Sequence, residues 1–369
     1  MKHAHTSSDQ WITARYQVRV PAAEIDAFAA ALALEQSVEV PLAAVRDPWV
    51  LDNTVGRVAD ITTANGGFEV TVKLALATTG LDPAQTINML FGNASLHESV
   101  SLLDAQFPTS LLDHFPKPRH GIAGIRALLG VHDRALTCAA LKPQGLSSDV
   151  LAGLLHTFAI NGVDIIKDDH GLADQPYSPF AERVRACQRA LRDAQRATGR
   201  NPLYAPSIVG APAQVRAQLR IAREEGVGMV LLAPALIGMP LFAELVAEPL
   251  GMAVLAHPAY AGATRVAHDW LFGQFFRLLG ADAVIYPNFG GRFAFSPDTC
   301  RNIAANLRTP WHDVATAFPV PAGGITVERV PELLDFYGQD LMLLIGGSLL
   351  MAGDALAERT RAFAASVAR

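Results

Sequence analysis

Cysteine, lysine and charge of either sign are all scarce in this chain of 369 residues. Its three cysteines, Cys138, Cys187 and Cys300, are scattered and odd in number. That excludes a disulfide framework and fits a reducing, cytoplasmic setting. Charged residues make up 18% of the chain and hydrophobic ones 50%, a balance that excludes disorder. The net charge is −5, so no electrostatic case exists for nucleic acid or an anionic membrane as partner. Apolar runs such as Val227–Gly238 are short and interrupted by glycine and proline, too short to span a bilayer. Met1–Gln10 is polar and lacks the apolar segment of a secretory signal.

Lysine is the scarcity that matters most. Among 30 basic residues only Lys2, Lys73, Lys117, Lys142 and Lys167 are lysines, and none follows Lys167. A genome that favours arginine codons explains the bias. A lysine kept in an apolar setting then points to chemistry that arginine cannot do. Lysine can lose its proton or react with CO2, and arginine does neither.

From about Ala135 short apolar runs alternate with amphipathic stretches. The strand-like runs are Ala135–Leu141, Val163–Lys167, Leu203–Val209, Gly228–Ala233, Met252–Ala256, Ala283–Tyr286, Ala317–Pro321 and Leu341–Ile345. Helical candidates follow each, from Ser148–Ile160 and Pro179–Thr198 to Arg265–Leu279 and Asp354–Val367. Starts carry N-cap chemistry at Ser147, Ser178-Pro179 and Ser296-Pro297, and stops carry Gly162, Gly226, Gly280 and Gly338. Eight such units predict an α/β fold with a C-terminal (β/α)8 TIM barrel over residues 121–369. A doubly wound sheet is the alternative, but the G-x-G-x-x-G turn it predicts after the first strand is missing. Residues 1–120 read as a smaller N-terminal α+β domain, with strands at Trp11–Val20, Val55–Ile61 and Gly67–Leu76, helices at Ala22–Leu34 and Asp82–Leu90, and a linker at Phe115–Gly121.

In such a barrel the chemistry sits at the C-terminal ends of the strands. The second strand ends Lys167-Asp168-Asp169-His170, the sharpest signal in the chain. Alternation sends Lys167 and Asp169 to one face and Asp168 and His170 to the other, unless fraying redirects His170. A solvated loop would account for the charges but not for the choice of lysine. A carbamylated Lys167 could join carboxylates around Mg²⁺, and an uncarbamylated one lowered by burial could be a base. Lys142, after the first strand, is a second such lysine, its plain alternative being a side chain snorkelling to the surface. His257 ends the fifth strand, where a structural role and a catalytic one are both open. The seventh and eighth strands end in Gly323-Gly324 and Gly346-Gly347. Backbone amides there suit a phosphate, although ordinary turns also use glycine pairs.

These motifs resemble the large subunit of ribulose-bisphosphate carboxylase/oxygenase (RuBisCO), and more closely the RuBisCO-like proteins called form IV. Gly162-Val163-Asp164-Ile165-Ile166-Lys167-Asp168-Asp169-His170 is similar to the family's Mg-binding G-[LV]-D-x-x-K-D-D-E. Leu141-Lys142-Pro143 with Gly145-Leu146-Ser147 is similar to I-K-P-K-x-G-L-S, and Ala322-Gly323-Gly324 to S-G-G. In the N-terminal domain Glu35-Gln36-Ser37 falls at E-S-S and Phe91-Gly92-Asn93 at V-G-N. The resemblance implies an enzyme whose site includes Lys142, Lys167, His257, Glu35 and Asn93. It implies Mg²⁺ at Lys167, Asp169 and His170, with Lys167 carbamylated or a charged neighbour. Phosphate would lie on Gly323, Gly324, Gly346 and Gly347, with Arg292 the nearest cation. It also implies a homodimer or higher homo-oligomer, because in the family the site lies between two subunits.

The departures bear on the reaction. Where the family has a glutamate ligand this chain has His170, and the second lysine of the first-strand motif is Gln144. The arginine after the fifth-strand histidine is Pro258, and the sixth-strand histidine aligns with Tyr286. The loop after that strand holds no lysine to stabilise carboxylation. CO2 fixation is therefore not expected. What survives is machinery for enolising a phosphorylated ketose. The branch resembled most is 5-methylthioribulose 1-phosphate isomerase of methionine salvage. The alternatives are 2,3-diketo-5-methylthiopentyl 1-phosphate enolase, a 3-oxo acid sugar-phosphate decarboxylase, and a catalytically silent regulatory homologue.

Overall fold

The computed structural model describes residues 10–368, so all of the polar N-terminal stretch but Gln10 lies outside them. The chain divides into two compact units. One holds the residues up to Phe115 together with Gly262–Leu271, and the other holds Pro116–Ala261 and the chain from Phe272 onward.

The first unit is a four-stranded antiparallel sheet in the order β2-β3-β1-β4. Its strands are β1 (Trp11–Val18), β2 (Arg57–Ala64), β3 (Gly67–Ala75) and β4 (Val100–Gln106). Ile12, Ala14, Tyr16 and Val18 are buried on one face, the two-residue period of a half-covered sheet. Helices Ile25–Glu35 and Pro83–Phe91 accompany it. Strand β4 is not foreseen from the sequence. It is joined by the segment before Leu271: the Leu102 amide donates to the Arg265 carbonyl, the Ala267 amide donates to the Leu102 carbonyl, and the Trp270 indole donates to the Ala105 carbonyl at 3.2 Å. The helix expected over Arg265–Leu279 is present over His268–Leu278, with a π-turn at Leu271–Phe275 inside it.

The second unit carries the eight expected staves. They are β5 (Leu136–Leu141), β6 (Ile165–Asp168), β7 (Leu203–Ala205) with β8 (Ser207–Ile208), β9 (Met229–Leu232), β10 (Ala253–Ala256), β11 (Ala283–Pro287), β12 (Phe318–Ala322) and β13 (Met342–Ile345). Pro206, lacking an amide hydrogen, separates β7 from β8 within one stave. All ladders are parallel, β13 pairs back onto β5, and the strands are buried on both faces, as parallel sheets require. Residues of one parity point inward: Leu136 and Cys138, Ala253 and Leu255, Ala283 and Ile285 belong to a single core cluster. Ile125 and Leu129 of helix Gly121–Leu129 join that cluster at the level of the strand starts, and so floor the barrel.

Capping follows the sequence at Ser147, which accepts from the Val150 amide, and at Ser296, which accepts from the Thr299 amide. Ser178 does not cap its helix. Asp174 accepts from the Phe180 amide at 2.7 Å instead, and the Ser178 hydroxyl lies 3.1 Å from that of Ser148.

Candidate active site

Strand parity assembles the polar residues. Inward positions run Leu136, Cys138, Ala140, Lys142 on β5; Ile165, Lys167, Asp169 on β6; and Ala253, Leu255, His257 on β10. Lys142, Lys167, Asp169 and His257 therefore share the inner face at the C-terminal end of the barrel. The Lys142 ammonium forms an ion pair with Asp169 Oδ2. Asp169 Oδ1 accepts from the Gly171 amide at 2.9 Å and from Gln144 Nε2 at 3.3 Å. Lys167 is only 3% exposed, and its Nζ donates to the Asp168 carbonyl at 2.8 Å. Past the end of β6 the chain turns, and His170 leaves the face that alternation assigns it. Its Nδ1 lies 3.5 Å from Asp169 Oδ1, and its ring stacks on His257 at 4.3 Å between centroids and 11° between planes.

The charges of this cluster are tuned by burial. Burial pushes the Lys167 ammonium below its ordinary range, which favours the free amine. Burial also opposes ionisation of Asp169, but the Lys142 ion pair, the Gly171 amide and the Lys167 charge outweigh it and hold the carboxyl well below the usual range. His257 is pushed down to about 2 by burial and by the lysine charge nearby. Its Nδ1 accepts from the Ala259 amide at 3.1 Å, so the neutral ring carries its proton on Nε2.

Asp168 has the opposite parity and serves the scaffold. It is fully buried, and its carboxylate accepts from Arg183 Nε at 3.0 Å, the Tyr204 hydroxyl at 2.8 Å and the Ser207 amide at 3.1 Å. Arg183 in turn donates to the Ser178 and Ala173 carbonyls, which fastens the loop after β6. Asp168→Asn strands a buried guanidinium and is expected to destabilise the fold by about 3–5 kcal/mol. Urea denaturation checks this, and a loss under about 1 kcal/mol contradicts it. Neither Arg183 nor Tyr204 stands out in the sequence, because their role depends on the outward face of β6.

The glycine pairs sit as expected at the ends of β12 and β13, and Gly323 (φ 87°) and Gly324 (φ 88°) adopt backbone that favours glycine. The loop after β11 lies against them. The Arg292 amide donates to the Gly323 carbonyl at 3.4 Å, and a Cβ on Gly291 would fall 2.0 Å from that oxygen. Arg292 itself is exposed, with its guanidinium 5.6 Å from the Phe293 ring. At the mouth, Gly346 packs beside Lys142, a Cβ there lying 3.8 Å from Lys142 Cε at ordinary contact distance. Tyr286 does not reach the site. Its parity is outward, and it is fully buried against Tyr337.

Glu35 and Asn93 meet within the first unit, where Asn93 Nδ2 donates to Glu35 Oε1 at 2.8 Å and to Glu39 Oε1 at 3.2 Å. Gln36 between them is buried, donating to the Met89 carbonyl and accepting from the Ala94 amide. That explains a polar residue at the end of helix Ile25–Glu35: it staples the helix to the Asn93 segment.

Residues 121–368 match the family model described as ribulose bisphosphate carboxylase large chain, catalytic domain. The chain belongs to the RuBisCO large-chain family. It is 52% identical over 358 residues to ribulose bisphosphate carboxylase-like protein 1 of Rhodopseudomonas palustris, covering 97% of each chain. It is 50% identical over 359 residues to 5-methylthioribulose-1-phosphate isomerase of Rhodospirillum rubrum, covering 97% of this chain and 96% of that one. The crystal structure of a Rubisco-like protein from Rhodopseudomonas palustris superposes with a TM-score of 0.91 at 47% identity, covering 97% and 98% of the two chains. Within the RuBisCO family this chain is thus RuBisCO-like rather than a carboxylase, and its relatives are enzymes of enolising and isomerising type.

The family implies a metal site, and the donor set admits one. Asp169 Oδ2 is buried and already faces a cation, the Lys142 ammonium. Without further chemistry two lysines and a neutral imidazole surround one carboxylate, too little oxygen for Mg²⁺. A carbamate on Lys167 would add oxygen donors and reverse that charge balance, and the buried amine is lowered in the direction carbamylation needs.

Proposed function

We propose that this enzyme isomerises 5-methylthioribulose 1-phosphate by proton transfer next to its ketone. The observation that carries the reading is the inward cluster of Lys142, Lys167, Asp169 and His257, with Gly346 of the β13 loop against Lys142, in a chain half identical to an isomerase of that name. Lys142, placed beside Asp169 at the strand end, takes the α proton as the free amine. His257, neutral with its proton on Nε2, is a hydrogen-bond donor to the substrate oxygen. Lys167 as its carbamate, Asp169 and His170 would hold Mg²⁺. When bound, the ion supplies electrophilic polarisation of the carbonyl. The amides of Gly323, Gly324 and Gly347, with Arg292, take the single phosphate.

Loss of the carboxylation cation supports isomerisation over carbon fixation. Arg292 is the nearest cation in the β11 loop, where a carboxylase needs a lysine over the new carboxylate. Glu35 and Asn93 join the site in a homodimer, each from the partner's first unit. The test supplies purified enzyme and Mg²⁺ with 5-methylthioribulose 1-phosphate, or with 2,3-diketo-5-methylthiopentyl 1-phosphate, and identifies products by NMR. Turnover of the first supports the reading, and turnover of the second alone contradicts it.

Gly291→Ala drives a methyl group into the Gly323 carbonyl and displaces the loop that bounds the phosphate cradle. The expected outcome is a KM for the phosphorylated substrate raised about tenfold or more, in line with one charged hydrogen bond lost or misplaced. Steady-state kinetics check it, and an unchanged KM contradicts the placement of phosphate here.

A further inference from the structure

We infer that Tyr337, on the outer helix Val330–Tyr337, is a positioning residue for the phosphate cradle, acting through Asn288. The inference rests on the phosphate reading above. The Tyr337 hydroxyl donates to Asn288 Oδ1 at 2.7 Å, and both residues are buried. Asn288 Nδ2 donates to the Phe289 carbonyl at 2.9 Å, and the Asn288 amide donates to the Ala322 carbonyl at 2.8 Å. Asn288 thereby ties the root of the β11 loop to the end of β12, and Tyr337 fixes which way its side-chain amide faces. The same Phe289 carbonyl accepts from Arg329 at 3.2 Å, and the Phe289 ring packs on Phe336 at 4.6 Å. The helix after β12 thus braces the loop from behind.

The loop then passes the constraint forward. The Gly291 amide donates to the Asn288 carbonyl at 3.3 Å, and the Arg292 amide donates to the Gly323 carbonyl at 3.4 Å. In a trans peptide the carbonyl and the following N–H point in opposite directions. A Gly323 carbonyl held toward Arg292 therefore turns the Gly324 N–H away from that oxygen. The absence of a Cβ on Gly291 is what allows this approach. A rigid donor aimed in advance costs no reorganisation when an anion arrives, whereas a loop released from Tyr337 must be ordered on binding. Cys300 lies at the same point, its Sγ 3.5 Å from the Pro287 carbonyl, and Tyr286 packs its ring at 70° to that of Tyr337. No side chain of this group lies on the inner face of the barrel.

The test measures binding of inorganic phosphate by calorimetry to the full-length protein, alongside steady-state kinetics. Tyr337→Phe keeps the ring and removes the hydroxyl. The expected result is phosphate affinity weakened, and substrate KM raised, by about tenfold, with kcat within about twofold of the parent. Asn288→Ala is expected to do the same, and the double variant to be no worse than Asn288→Ala alone, because the two act in series. Wild-type phosphate affinity in Tyr337→Phe overturns the inference while leaving the phosphate reading intact. A parent protein that binds no phosphate overturns the reading and the inference together. Equal losses in kcat and stability without a KM effect would mark Tyr337 as merely structural and overturn it as well.

Discussion

Lys167→Arg is expected to lower turnover of 5-methylthioribulose 1-phosphate by at least about 10³-fold. The substitution keeps a cation but removes the amine. Lys167 is enclosed at the inner end of β6, and burial lowers its proton affinity, the direction that helps a neutral amine meet CO2. A guanidinium stays charged and cannot form the carbamate. Without the proposed carbamate, Asp169 would be left among cations and an imidazole, too little oxygen to hold the proposed Mg²⁺. Lys167→Met, which fits the apolar length of the side chain, is expected to behave alike and separates chemistry from steric damage. Initial rates under saturating bicarbonate check both. Activity within tenfold of the parent in Lys167→Arg would contradict the metal reading.

Lys142→Met is the second large effect, expected at about 10²-fold or more on kcat, the scale of a general base. Methionine matches the length of the lysine stem and carries no charge, so it removes the amine with little change in packing. The variant also leaves the Asp169 carboxylate without its ion pair, which is expected to tighten rather than weaken cation binding there. Substrate affinity is expected to survive, because the glycines proposed to hold the phosphate are untouched. A fall in kcat with KM nearly constant supports the role, and a normal rate rules Lys142 out as the base.

How much of this was legible in the sequence follows from parity. The two-residue period that buries Leu136 and Cys138 also delivers Lys142, and the period that buries Ile165 delivers Lys167 and Asp169. These residues could be foreseen once the strands were placed. His170 could not, because its direction depends on how the chain turns past β6, and only its ring stacking on His257 decides that. Tyr286, which stands where the family has a histidine, follows the same rule: parity sends it outward. The roles of Arg183, Asn288 and Tyr337 were not legible, because Arg183 meets Asp168 15 residues away and Tyr337 meets Asn288 49 residues away. The strand Val100–Gln106 was missed for a similar reason. Its apolar and polar residues alternate poorly, and part of its pairing comes from a segment far along the chain.

The central claim is proton transfer next to a ketone of a monophosphorylated sugar. Proton NMR in D2O tests it most directly, with purified enzyme, Mg²⁺, bicarbonate and 5-methylthioribulose 1-phosphate. The account predicts that a carbon-bound hydrogen beside the carbonyl washes out, or migrates, as isomer forms, and that Lys142→Met slows this by about 10²-fold. Ribulose 1,5-bisphosphate incubated with labelled CO2 under the same conditions is predicted to gain no label. Label in that product, with no exchange or isomerisation of the methylthio sugar, would contradict the account.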